Sequence, residues 1–121
     1  MREPLEQDIL RVCLEYLKLR GVCCWRQNQG SVAGEHKGRR RFLRFASADG
    51  ISDIIGLLPP GGRLLAVEVK RPGKQPTATQ QAFLDAIGRN GGLAVCVHSL
   101  AELEAALGLG KVLAPGPAQA R

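Results

Sequence analysis

The sequence predicts a single α/β domain: one mixed β-sheet flanked by helices, in the order α-β-β-β-α-β-α. Three observations carry that expectation. The chain has 121 residues, the size of one ordinary domain. Apolar residues recur at helical spacing in its first twenty positions and in two later stretches, and short β-type runs between them are bounded by Gly and Pro. With 45% hydrophobic residues there is enough apolar surface for one core.

Residues 4–20 place Leu5, Ile9, Val12, Cys13, Tyr16 and Leu17 on one helical stripe. Pro4 suits a first turn, Glu6 and Asp8 suit the positive end of the helix dipole, and Gly21 suits the stop. A strand V-C-C-W-R-Q-N follows at 22–28, with Trp25 expected in the core; its ring could stack on a base, but one aromatic in a chain only 4% aromatic does not make a stacking platform. Residues 29–41 are rich in Gly and charge and lack apolar periodicity, so they read as a loop.

Ile51 to Leu58 reads as the second strand and R-L-L-A-V-E-V-K, 63–70, as the third. The P-P-G-G between them makes a hairpin turn, because Pro presets φ and Gly accepts positive φ. After a break at R-P-G-K-Q-P-T, Thr77 or Thr79 can cap a helix that Gly91 and Gly92 close. L-A-V-C-V-H, 93–98, reads as a buried strand of the kind found inside an α/β sheet, and Ser99 caps a last helix ending near Gly108. The domain is expected over 1–114, with 115–121 as a Pro-rich tail.

The four cysteines and two histidines show no zinc-like spacing, which leaves the cysteines as reduced, structural residues. No apolar run is long enough to span a membrane, and the charged N-terminus lacks a secretory pattern, so the chain reads as intracellular. A formal charge of +6 favours polyanionic partners, since each neutralised phosphate releases condensed counterions. The basic run K-G-R-R-R-F-L-R brings Lys37, Arg39, Arg40, Arg41 and Arg44 into one stretch. Taken alone it reads equally as a solvated loop.

The chemistry concentrates in the hairpin. Side chains alternate along a strand, so Leu64, Ala66, Glu68 and Lys70 share one face and Leu65, Val67 and Val69 the other. By themselves Glu68 and Lys70 read as a plain ion pair at a strand end. Asp53 changes that reading, because the hairpin can carry it beside Glu68. Two adjacent carboxylates repel unless a cation neutralises them. Mg²⁺ typically takes one or two carboxylates plus waters and substrate phosphates, with Mn²⁺ able to substitute. Lys70 is then placed to steer an attacking water or to stabilise charge on a phosphate.

The run G-I-S-D-I-I-G-L-L, the turn, and L-L-A-V-E-V-K together resemble the D…E-x-K core of the PD-(D/E)XK nuclease superfamily. More specifically they resemble the VRR-NUC family of virus-type replication-repair nuclease domains, with W-R-Q-N, P-T-A-T-Q-Q-A-F-L and G-G-L-A-V-C-V as further matches. Ser52 stands where the superfamily name has Pro. The resemblance implies a restriction-endonuclease-like fold and a Mg²⁺-dependent DNA endonuclease, acting as a homodimer on branched or structured DNA. It implies Asp53, Glu68 and the Val69 carbonyl as metal ligands, Lys70 as the catalytic lysine, Glu6 as a helix acid near the metal, often through water, and Gln80 as the family glutamine. Arg26, Asn28, Lys74 and the basic run are candidate DNA contacts. The competing expectation is a nucleic-acid-binding module with structural acids and no cleavage.

Overall fold

The computed structural model describes residues 4–27 and 50–108. The candidate contacts Asn28, Lys37, Arg39, Arg40, Arg41 and Arg44, and the expected tail, lie outside the described residues.

The element order is α1 (Glu6–Leu19), β1 (Cys23–Arg26), β2 (Ile54–Leu58), β3 (Arg63–Val69), α2 (Ala78–Arg89), β4 (Leu93–Val97) and α3 (Leu100–Ala106). This is the expected order. The strands form one mixed sheet, β1-β2-β3-β4, antiparallel except for the parallel β3–β4 pair. Parallel neighbours need a crossover, and α2 supplies it. No helix among the described residues is long and apolar enough to cross a membrane.

The alternation read from β3 holds on both faces. Leu65, Val67 and Val69 enter the larger core with Ile9, Leu10, Cys13 and Leu17 of α1 and with Leu103 and Leu107. Ala66 and Leu64 face the other way, into a smaller core with Ile55 and with Phe83, Leu84 and Ile87 of α2. Truncating a fully buried leucine such as Leu17 or Leu65 would cost about 2–5 kcal/mol, a large share of the roughly 5–15 kcal/mol that holds a domain together.

Four expectations about burial need correction. Leu5 is 47% exposed, and β4, expected as a buried interior strand, is the edge strand of the described sheet and half-buried up to Val97. Trp25 is 42% exposed and not a core residue, because α2 lies over β3 and β4 and leaves the β1 end of its face open. Val12 lies at the rim of the α1 stripe and is exposed. The observed strands are also shorter than read: β1 stops at Arg26, and Ile51 to Asp53 approach β2 outside the ladder.

That approach is held closely. Gly50 has φ of +73°, and a Cβ built on it would stand 2.5 Å from the Thr79 carbonyl oxygen at the start of α2. A side chain there meets both a left-handed backbone and a backbone wall. Gly50→Ala is therefore expected to destabilise the chain by more than ~1–2 kcal/mol, the backbone cost alone. Urea unfolding measures it, and a variant as stable as the parent would contradict the packing described.

Candidate active site

The β2–β3 register sets the site. Ile54 pairs with Val67 and Ile55 with Ala66. One step beyond the ladder, Asp53 stands across from Glu68, and cross-strand partners share a face. Both acids therefore lie on the α2 side, in line with Ile55 and Ala66.

Asp53 is held at both ends. Its Oδ2 accepts a hydrogen bond from the Val69 N–H at 2.8 Å, and its carbonyl accepts from the Gln27 N–H at 2.7 Å. In strand geometry a residue's N–H and C=O leave by the same edge, so the Val69 carbonyl is directed toward the Asp53 side. Glu68 is only 2% exposed. Its Oε1 is buried with no hydrogen-bond partner among the described residues, and its Oε2 lies 3.9 Å from Lys70 Nζ. Burial, followed by the charge of Asp53, pushes the Glu68 carboxyl from 4.5 up to about 8. A hydrogen bond with Asp53 and the charge of Glu6 act in the same direction, while Lys70 opposes them. Without a cation, the two acids are kept together by a retained proton.

An orphaned buried carboxylate oxygen beside a second acid is a place that suits a divalent cation. Among the described residues no three His, Cys, Asp or Glu side chains converge into a full cage. Two carboxylates and a backbone carbonyl do suit Mg²⁺, which keeps several waters and takes the rest of its shell from substrate. The donor set fits.

Lys70 is anchored by its N–H, which donates to the Val97 carbonyl at 3.0 Å. Glu6, the first residue of α1, is exposed, and its Oε2 accepts from the Arg71 N–H at 3.4 Å. It adds negative potential at Glu68 from a short way off. Lys74 does reach the neighbourhood, lining a cleft of about 470 Å³ with Glu6, Lys70, Arg71 and Gln75. Sequence reasoning overlooks Arg71, although it directly follows E-V-K.

Two other candidates sit differently. Gln80 completes a capping box: Thr77 N–H donates to its Oε1 at 2.9 Å, and its own N–H donates to Thr77 Oγ1 at 3.1 Å. The structure thus commits its carboxamide oxygen to capping the start of α2. Arg26 pairs across to Ile54 and so is rooted on the α1 face, opposite Asp53 and Glu68. Its neighbours Trp25 and Gln27 share the face of the acids, and nothing in the sequence singles out Gln27.

A brace holds the loop after Lys70. His98 Nδ1 lies 2.9 Å from Glu102 Oε1, and its Nε2 lies 2.8 Å from the Lys74 carbonyl oxygen. Both partners only accept, so the ring satisfies them fully as an imidazolium. The Glu102 hydrogen bond accordingly holds His98 above its usual range.

The VRR-NUC domain family model matches residues 5–101. A VRR-NUC domain protein of known structure is similar in fold, with a TM-score of 0.64 at 16% identity, covering 90% of this chain and 93% of its own. No curated protein sequence matches.

Below pH 4.5 the Glu68 carboxyl is protonated in both folded and unfolded chains. As pH rises from there to about 8, the unfolded chain releases the proton while the folded chain keeps it, so stability falls across that window. The metal-free Tm is expected to drop between about pH 5 and pH 8.5, and Glu68→Gln to flatten the drop. Mg²⁺ should raise Tm more at the upper end, where no proton has to be displaced. Calorimetry checks this, and an equal slope in Glu68→Gln would refute it.

Proposed function

The chain belongs to the VRR-NUC family, whose fold is a nuclease fold, and from that premise we propose that it is a Mg²⁺-dependent endonuclease hydrolysing DNA phosphodiester bonds. The observation that carries the reading is Glu68: a carboxylate 2% exposed, hydrogen-bonded to Asp53, with one oxygen left without a partner. A purely structural acid would have both oxygens hydrogen-bonded, since a buried polar atom left without a partner costs about 1–3 kcal/mol.

Asp53, Glu68 and the Val69 carbonyl are the residues to hold the ion, with Glu6 close enough to act through water. A Mg²⁺ ion held there would supply Lewis acidity toward a phosphoryl oxygen and would lower the pKa of a water so that it can serve as the nucleophile. Lys70 stands beside Glu68 on the same face, its backbone bonded to β4 and its ammonium 3.9 Å from Glu68 Oε2. It orients the water and offsets the charge that builds on the phosphate as one P–O bond forms and the other breaks. Lys74 and Arg71, on the cleft beside Lys70, offer cations to the neighbouring phosphates.

Branched or structured DNA is the proposed substrate and a homodimer the proposed form. A 13.0 kDa chain offers little surface for a duplex, and a two-fold pair doubles the grip and supplies two sites.

Wild-type chain with Mg²⁺ or Mn²⁺ is expected to nick supercoiled plasmid and a four-way junction. Asp53→Ala and Lys70→Ala should each lose about 10²-fold or more in rate. Cleavage that survives both substitutions would remove the reading. DNA retained on a filter but never cut would leave a binding module in its place. Light scattering should return twice the 13.0 kDa chain mass.

A further inference from the structure

On the α2 side, the sheet's side chains stand in rows across the strands. Extending the register gives one row of Gln27, Asp53 and Glu68, the next of Trp25, Ile55 and Ala66, and a third of Cys23, Leu57 and Leu64. α2 covers the β3–β4 part of these rows and stops short of β1. Trp25, 42% exposed, and Leu57, 41% exposed, are therefore open to solvent.

Trp25 is exposed but not loose. Its Nε1–H donates to Gln27 Oε1 at 2.7 Å, which fixes the indole plane and satisfies its one polar atom. What it offers outward is an aromatic face. Trp25 and Asp53 are diagonal neighbours on adjacent strands, with Cα atoms about 7–8 Å apart. That is the reach of a nucleotide from its phosphate to its base.

We propose that Trp25 stacks on a nucleobase of the DNA strand whose phosphate is held at Asp53 and Glu68. The proposal rests on the nuclease reading of those acids. A base inside a duplex has no free face to offer a side wall of the sheet, so the base taken is one that has left the stack. The substrate class is thereby narrowed to DNA with an unpaired nucleotide at the cut. Charge favours this occupant over a second copy of the chain. A cleft lined by Lys70, Arg71 and Lys74 together with Glu6 opens past the end of β3, next in sequence to Glu68, and the chain carries +6 overall. A strand entering over those cations crosses the acids and meets the indole next.

Trp25 is the chain's sole tryptophan, so its emission reports on this residue alone. The full chain, with Ca²⁺ in place of Mg²⁺, is titrated with a short single-stranded oligonucleotide, with a blunt duplex of the same sequence and with inorganic polyphosphate. The oligonucleotide should quench emission about twofold or more, and the other two should barely change it. Trp25→Leu should weaken oligonucleotide binding, read by anisotropy, about tenfold, with Trp25→Phe largely restoring it. Both variants should keep the parent's Tm and its Mn²⁺ affinity. Equal quenching by polyphosphate, or unchanged binding by Trp25→Leu, overturns the inference. So does emission that shifts when the protein is simply concentrated, which would give the face to a second copy. If the nuclease reading itself fails, the quenching remains while the wild-type chain cuts nothing.

Discussion

The register of the β2–β3 hairpin is the constraint on which the rest of the molecule depends. Leu58 meets Arg63 across the four-residue turn Pro59 to Gly62, and every pair behind it follows. A slip of one residue would move Asp53 to the α1 face and leave Glu68 buried opposite a hydrophobic partner. The apolar side chains forbid it. Ile54 and Val67 belong to the core under α1, Ile55 and Ala66 to the core under α2, and no shifted pairing serves both. The hydrophobic effect thus does the positioning, and the carboxylates are carried into contact as passengers of two well-packed cores.

Bringing them together works against folding. Glu68 sits in the sheet with its charge suppressed, next to an acid that would repel it if both ionised. Fully buried leucines and valines on the opposite face offset that cost. Functional sites commonly concentrate such local conflict while the surrounding elements agree with one another. Here the conflict is confined to one end of one row, and the neighbouring rows on that face are apolar.

The elements legible in the sequence are those set by periodicity along the chain. The β3 alternation, the Pro-Pro-Gly-Gly turn and the acid isolated in an apolar strand suffice to bring Asp53, Glu68 and Lys70 together. What is not legible is set by neighbours distant in sequence. Trp25 lies on an apolar-looking strand, and only the lateral reach of α2 decides that its side of the face stays open. Arg26 groups by sequence with its neighbours in W-R-Q-N, yet alternation puts it on the far face, and Gln27 lines the row instead. Gln80 follows a family pattern, whereas its local chemistry, a Thr three residues before it, makes it a helix cap. The basic run from Lys37 to Arg44 lies outside the described residues, so its part in binding rests on charge alone.

The His98 brace has a practical corollary for anyone trimming this domain. The family's sequence signature closes at residue 101, one turn too early for the fold. Glu102, which orders His98 and through it the Lys74 carbonyl, comes next, and Leu103 and Leu107 plug the core under β3 and β4. A boundary drawn where the signature ends would unfasten the loop after Lys70 and open the floor of the sheet at once. Any trimmed version that keeps this core has to retain Leu103 and Leu107.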